Sequence, residues 1–450
     1  MTNNGRQPKK YCTLTFGCQM NEHDSEVLAG LLEREGYRPE NRMEKADLIV
    51  VNTCCVRETA ENKVYGLLGR LRRLKVENPG LVIAVCGCMP QQEGMALRLK
   101  NRFPHLDIIL GTHNLSRFPD LLRQAMESRG PVVEILPGTG GIAEDLPVKR
   151  SAGVRAWVTI MYGCNNFCTY CIVPYVRGRE RSRRPGDVAA EVRGLAREGY
   201  KEVVLLGQNV NSYGKDLEQA FDFAGLLEIL EEVEGIDRIR FMTSHPRDFS
   251  DRLIETIAAS QKVCEHIHLP VQAGSNKILR KMNRGYTREQ YLELVGKIRA
   301  AIPRAALTTD IMVGFPGEED EDFNDTLDLV ERARFDSAYT FVYNRRSGTP
   351  AADMANQVPE QAKKERIAVL IKRQNAISLE RNREEEGRVE EVLVEGEVGG
   401  SEGVLGGRNR GNKMVVFPGG RERIGTICRV KILRSRLAHL EGELELENKS

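Results

Sequence analysis

Tyr162-Gly163-Cys164-Asn165-Asn166-Phe167-Cys168-Thr169-Tyr170-Cys171 follows directly on an apolar run, Trp157-Val158-Thr159-Ile160-Met161. Its cysteines are spaced C-x3-C-x2-C. Cysteines this close cannot cross-link distant parts of a fold. They can wrap one soft metal centre, because thiolates select zinc, copper(I) or iron–sulfur clusters. Zinc wants a fourth ligand, usually in a second C-x2-C or H-x3-H pair, yet no Cys or His follows Cys171 before His245. Three ligands alone suit a four-iron cluster with one iron left open to another molecule. Three merely buried cysteines are the plainer alternative, and the spacing argues against it.

Around this motif strand-like and helical runs alternate. Strands are expected at Arg155–Met161, Val203–Leu206, Arg238–Thr243, His266–Pro270, Leu307–Val313 and Ala338–Tyr343. The stretches between them, from Gly186–Glu198 to Asp320–Arg334, carry apolar residues at helical spacing. Six βα units fit a curled parallel sheet, an incomplete relative of the eight-fold barrel, in which chemistry gathers where strands end. The uncommon residues fall there. The cysteine motif follows the first strand and Gly207-Gln208-Asn209-Val210-Asn211 the second. Ser244-His245-Pro246 follows the third, Pro270-Val271-Gln272-Ala273-Gly274-Ser275 the fourth and Val313-Gly314-Phe315-Pro316-Gly317-Glu318 the fifth.

His245, His266 and His268 invite a metal reading, but no nearby carboxylate or cysteine completes a set. They are expected to be structural, and Cys264 to be core. Arg177-Gly178-Arg179-Glu180-Arg181-Ser182-Arg183-Arg184 carries five arginines in eight residues. A solvated loop is its plain reading; a phosphate-gripping segment is the sharper one, since Arg suits bidentate phosphate contacts. Gln357 to Glu386 reads as a charged helix leading out of the barrel.

Nearer the N-terminus, strands are expected at Tyr11–Phe16, Asp47–Asn52, Leu81–Cys86 and Asp107–Leu110, with helices at His23–Glu35, Val56–Val76 and Gln91–Arg102. This alternation implies a parallel sheet covered on both faces, with ligands beyond the carboxyl ends of its strands. Cysteines lie at those ends: Cys18 after the first, Cys54 and Cys55 after the second, Cys86 and Cys88 at the third. Parallel neighbours bring these turns to one edge, where three thiolates can converge on a second cluster; small buried residues are the alternative. Spacing leaves open which member of each pair binds. Cys12 is read as core, and Gly87 as the turn that exposes Cys88. Helices that begin after these turns offer N–H groups favourable to an anionic group. Residues 129–152, with Gly130-Pro131, Pro137-Gly138, Gly140-Gly141 and Pro147, read as an extended connector.

After residue 383 the pattern becomes short β runs with glycine turns, which suggests a small β-barrel. From Arg408 to Arg436 there are nine Lys or Arg and one acidic residue, Glu422, in a chain whose formal charge is only +2. A local basic face carrying Phe417 is expected to bind RNA, charge giving affinity and the ring stacking. The fold class is therefore α/β: an N-terminal parallel-sheet domain at 9–128, the connector at 129–152, an incomplete (β/α)6 barrel at 153–382 and a small β-barrel at 383–446. At 41% hydrophobic and 29% charged the composition is that of globular domains. No apolar run approaches a membrane span. The polar Met1–Lys10 has no signal-peptide core, so a cytoplasmic location is expected. Eleven cysteines in a reducing compartment argue for metal over disulfides.

Together these residues resemble the methylthiotransferase family of radical S-adenosylmethionine (SAM) enzymes, from Tyr11 to about Gly442. Tyr170, just before the last cysteine, is part of the resemblance. It implies an N-terminal methylthiotransferase domain, a radical SAM core and a C-terminal TRAM domain. It implies that Cys18, Cys54 and Cys88 bind an auxiliary 4Fe-4S cluster, which decides between the paired cysteines. Cys164, Cys168 and Cys171 match the ligands of a second 4Fe-4S cluster whose open iron holds SAM, with Tyr170, Gly207 and Gln208 around SAM. No side chain stands out as a general base. Gly17-Cys18-Gln19-Met20-Asn21 and Leu206-Gly207-Gln208-Asn209-Val210-Asn211 resemble the tRNA branch that acts on N6-dimethylallyladenosine beside the anticodon. Branches acting on threonylcarbamoyladenosine or on a ribosomal protein are the alternatives. The implied reaction uses a 5′-deoxyadenosyl radical to take hydrogen from C2 of the base, sulfur held at the auxiliary cluster, and a methyl group from a second SAM. The implied partners are the tRNA anticodon loop, an electron donor such as flavodoxin or ferredoxin, and a sulfur source, with no membrane. A different class, a non-catalytic RNA-binding protein with structural metal, would contain neither iron nor sulfide in quantity.

Overall fold

The computed structural model describes residues 8–55, 58–128, 130–137, 142–150, 153–400 and 402–445. Two compact units are present: Met1–Ser151 with Tyr162–Phe167 and Cys171–Arg181, and Ala152–Met161 with Cys168–Tyr170 and Ser182–Ser450.

The first unit contains a parallel sheet of β1 (Lys10–Thr15), β2 (Arg38–Pro39), β3 (Leu48–Thr53), β4 (Val82–Gly87), β5 (Ile108–Leu110) and β6 (Val132–Glu134), in the order β2-β1-β3-β4-β5-β6. Its helices are α1 (Gln19–Arg34), α2 (Glu58–Glu77), α3 (Cys88–Gln91), α4 (Met95–Arg102) and α5 (Phe118–Glu127). The central strand shows why the sheet is covered twice. Leu48 and Val50 belong to one apolar cluster, Ile49 and Val51 to another, as alternate residues on opposite faces. Two features depart from the expectation. The helix expected at Gln91–Arg102 is broken into α3 and α4. The stretch read as a connector supplies β6, and its residue Lys149 donates its N–H to the Glu26 carbonyl of α1 at 2.9 Å. Residues 129, 138–141 and 151–152 of that connector, and Val56 and Arg57 of the expected second helix, lie outside the described residues.

The second unit begins with β7 (Arg155–Thr159). The two-residue strands β8 (Met161–Tyr162) and β9 (Arg181–Ser182) and the short α6 (Val173–Arg177) follow in the chain. Next come α7 (Pro185–Arg197), β10 (Glu202–Leu206), α8 (Phe223–Glu231), β11 (Arg238–Phe241), α9 (Asp251–Ala259), β12 (His266–His268), α10 (Asn276–Lys281), α11 (Arg288–Ala301), β13 (Ala306–Val313), α12 (Asp320–Ala333) and β14 (Ser337–Val342). The strands form parallel triplets β7-β10-β11 and β12-β13-β14, joined where Ile239 pairs with Val263. Polar residues start the helices where the chain has turned. Ser250, Ser275 and Thr287 accept N–H groups at the starts of α9, α10 and α11, and Thr287 forms a capping box with Gln290. The six expected strands thus all form, with the expected loops at their carboxyl ends. Cys264, His266 and His268 are buried; both histidine rings meet the Thr308 hydroxyl, at 3.1 and 3.0 Å.

Helix α13 (Glu360–Arg383) leads to a closed barrel of β15 (Val389–Glu397), β16 (Val404–Asn409), β17 (Met414–Pro418), β18 (Ile427–Ser435) and β19 (Leu440–Leu444). Closure removes the exposed strand edges. Two expectations about this barrel fail. Phe417 is 1% exposed and packs inside with Val415, Val430 and Leu440, so its ring is unavailable for stacking. The cations Arg408, Arg410 and Lys413 are engaged within the unit. Arg410 is bidentate on Glu265, Lys413 reaches Asp336 at 2.9 Å, and Arg408 reaches Glu395 at 3.3 Å. Two arginines of β11 complete the docking. Arg238 donates to the carbonyls of Arg408 (2.7 Å) and Glu391 (2.8 Å), and Arg240 to those of Arg410 (2.8 Å) and Asn409 (2.7 Å). Glu202, wholly buried on β10, balances Arg240 at 2.8 Å and Arg155 at 2.5 Å. Among the described residues no helix is long and apolar enough to cross a membrane.

Candidate functional site

In the first unit the ends of β1, β3 and β4 lie side by side, with Thr15 paired to Asn52 and Thr53 to Gly87. Cys18 caps the start of α1, Cys54 follows β3, and Cys88 opens α3. Gly17 is what lets two of these turns meet. A Cβ there would fall 2.8 Å from the Cys54 Cβ and 2.5 Å from Asn21 Oδ1, at a φ of +150°. A buried polar lattice fixes the edge. Asn52 Nδ2 donates to the Asn21 carbonyl (2.8 Å) and to Ser25 Oγ (2.9 Å), while Asn21 Nδ2 donates to Asn52 Oδ1 (3.2 Å).

The donor chemistry there fits an anionic iron–sulfur cluster. The neighbouring Cys55 thiol and then the Arg177 guanidinium bring the Cys88 thiol down to about 6 against the pull of burial, favouring the ligating thiolate. Burial instead pushes the Cys86 thiol well up, so it stays protonated within β4. Arg177 is itself buried and held by Asp24 at 2.8 Å. Among the described residues no three His, Cys, Asp or Glu are grouped for a single metal ion; ligands at separate corners of a cluster stand further apart.

Arg177 also corrects the reading of the arginine run. Arg183 bonds Glu191 (2.6 Å) and the Thr159 carbonyl (2.8 Å), and Arg179 lies over the Phe167 ring at 4.3 Å. Arg177 and Arg183 are thus internal scaffolding, while Arg179 and Arg184 stay exposed.

In the second unit Cys168-Thr169-Tyr170 is pinned at the end of α10. Thr169 donates its N–H to the Met282 carbonyl (3.1 Å) and its hydroxyl to that of Lys281 (2.8 Å). Arg284, in the turn that follows, is buried and donates to Cys168 Sγ at 3.3 Å. Gly207 leaves β10 against Met161, whose Cγ a Cβ would approach to 2.6 Å. At the ends of β10 and β11, Gln208 Oε1, Asn209 Oδ1, Ser244 Oγ and His245 Nε2 are buried without a hydrogen-bond partner among the described residues. Burial pushes His245 down to about 2, so the ring is neutral. Its Nδ1 accepts the Arg247 N–H at 3.3 Å, which leaves the proton on Nε2. Two amide acceptors, a hydroxyl and an imidazole N–H at these strand ends thus have hydrogen-bonding capacity that the described residues do not use.

Comparison with known proteins bears on this arrangement. Residues 158–330 match the Radical SAM superfamily, 10–111 the Uncharacterized protein family UPF0004, and 383–444 the TRAM domain. The chain is 67% identical to the tRNA-2-methylthio-N(6)-dimethylallyladenosine synthase of Pelotomaculum thermopropionicum, over 97% of this chain and 98% of that protein. The chain belongs to the tRNA-2-methylthio-N(6)-dimethylallyladenosine synthase family. A second synthase, from Carboxydothermus hydrogenoformans, is 60% identical over 97% of this chain and 99% of its own. Among solved structures, the radical SAM methyltransferase TsrM of Kitasatospora setae aligns with a TM-score of 0.57 at 15% identity, over 77% of each chain; that likeness concerns the fold alone. Enzymes of this synthase family work with SAM and 4Fe-4S clusters.

Residue patterns had pointed to the cysteines and to Gln208. They had not pointed to Asp24, Asn52 or Arg284. The Asn52-Thr53 pair did carry a signal, as polar residues closing an otherwise apolar strand. Arg284 lies in a turn, Asn283-Arg284-Gly285, and nothing local marks it as buried.

Proposed function

We propose that this chain converts N6-dimethylallyladenosine beside the tRNA anticodon to its 2-methylthio derivative. Cys18, Cys54 and Cys88 hold the auxiliary cluster, and Cys164, Cys168 and Cys171 the cluster that meets SAM. When bound, the clusters and SAM supply one-electron cleavage chemistry, sulfur and a methyl group. The protein's own residues do the rest. Arg177 and Asp24 keep a fixed charge beside Cys88. Gln208, Asn209, Ser244 and neutral His245 offer the hydrogen bonds that orient a polar cofactor, with Tyr170 and Gly207 beside them. The base leaves its stack to reach the loops at the barrel mouth. Working divisions are 9–128, 153–382 and 383–446, the last meeting tRNA. An electron donor and a sulfur source serve the enzyme in the cytoplasm.

The observation that carries this reading is the six cysteines at strand ends in a chain 67% identical to a named synthase. The relatives' names favour this branch over threonylcarbamoyladenosine or a ribosomal protein. Mass analysis of tRNA nucleosides from a deletion strain should show loss of the methylthio group with the dimethylallyl group retained. Cys164→Ala should end 5′-deoxyadenosine formation, whereas Cys54→Ala should keep it and lose sulfur insertion. A Cys54→Ala enzyme that still inserts sulfur refutes the auxiliary ligand set.

A further inference from the structure

Among the described residues, Arg284 is a buried cation with no carboxylate beside it. Nη2 donates to the Pro270 carbonyl at 2.7 Å and Nε to the Tyr286 hydroxyl at 3.0 Å. Nη1 donates to Cys168 Sγ at 3.3 Å and to the Tyr170 hydroxyl at 3.4 Å. Of the other buried arginines, Arg177, Arg240 and Arg366 have Asp24, Glu202 and Glu318 at 2.8, 2.8 and 2.9 Å, and Arg238 has main-chain carbonyls alone. Among the described residues Arg284 has no such ion pair; its partners are two phenols, a carbonyl and a sulfur. Burying a guanidinium without a counter-charge is costly, and this one cannot shed its proton. Unlike Arg238, it faces a cysteine sulfur, Cys168 Sγ, where a ligating thiolate would supply the missing charge.

We infer that Arg284 is a positioning residue for the cluster ligated by Cys164, Cys168 and Cys171, and that it raises that cluster's reduction potential. Two of its nitrogens are anchored by Pro270 and Tyr286, which aims the third at the ligating sulfur. A hydrogen bond and a fixed positive charge at a ligand sulfur favour the form with the extra electron. Lysine keeps the charge but loses the fork that holds the aim. The inference rests on the ligand assignment proposed above.

The test uses the full chain with Cys18→Ala, Cys54→Ala and Cys88→Ala, reconstituted anaerobically with iron and sulfide so that one cluster reports. Dithionite supplies one electron, and the reduced signal is followed by EPR against potential. Arg284→Met should shift the midpoint to more negative potential, with Arg284→Lys between it and the native residue. Arg284→Met loaded with iron at the native potential overturns the inference. If Arg284→Met takes up no cluster, Arg284→Lys decides in the same way: an unshifted midpoint overturns the inference and a lowered one supports it. A native-Arg284 protein whose EPR signal ignores added SAM overturns the ligand assignment itself, and this inference with it.

Discussion

Asn52→Ala would remove the centre of the lattice that sets the auxiliary cysteines. Asn52 is wholly buried, and its amide makes three hydrogen bonds of 2.8, 2.9 and 3.2 Å. Ser25 Oγ keeps Thr15 at 2.8 Å, and Asn21 Nδ2 keeps only a long contact to the Thr53 carbonyl at 3.4 Å. The Asn21 carbonyl loses its side-chain donor. One to two buried groups are left without good partners, at about 1–3 kcal/mol each, so the edge should loosen by roughly 2–4 kcal/mol. Amide hydrogen exchange reads this locally, which suits a chain of several domains better than one global transition. Exchange in peptides covering the ends of β3 and β4 should quicken on the order of 30- to 1,000-fold. In a background with Cys164, Cys168 and Cys171 replaced by Ala, iron retained by the remaining cluster should fall. Unchanged exchange with full iron loading would refute the claim that this lattice positions the cysteines.

The remaining expectations concern pH and RNA. Burial holds His245 at about 2 and His266 well below its usual value. In the unfolded chain these rings take up protons below about pH 6.5. Their contribution to stability is complete above that pH and is lost as pH falls, by up to about 1.4 kcal/mol per unit for each ring. The melting temperature should drop between pH 7 and 5.5, less steeply for His245→Asn; an identical slope would count against the buried-ring explanation. Lys431 and Arg434 are exposed on β18, so replacing both by Gln should lower the salt slope of tRNA binding by about one to two. Arg410→Gln should instead lower the melting temperature, because that side chain grips Glu265 and the carbonyls of Gln261 and Val263. A full loss of salt dependence in Arg410→Gln, with native stability, would restore it to the RNA face.

The strands were legible because their apolar runs are short, separate and bounded by glycine and polar residues. The cysteines were legible because they stand where those runs stop. Long-range polar contacts were not. Arg177 finds Asp24 across more than a hundred and fifty residues, and an arginine-rich string looks the same whether it is sealed or solvated. Phe417 was misplaced for a simpler reason. Strand alternation sets it on the same side as Val415, the closed side of the barrel; charge density drew attention to its neighbours and away from that two-residue rhythm.

Arg238 and Arg240 hold the terminal barrel by four main-chain oxygens. Peptide oxygens are common to every amino acid, so these four bonds read loop shape, while Arg410 on Glu265 and Lys413 on Asp336 add a demand for two cations. A homologous module that keeps the rim geometry and those two cations is therefore expected to dock on this core. Exchanging it offers a way to alter which nucleic acid is grasped while the reacting end of the enzyme is left untouched.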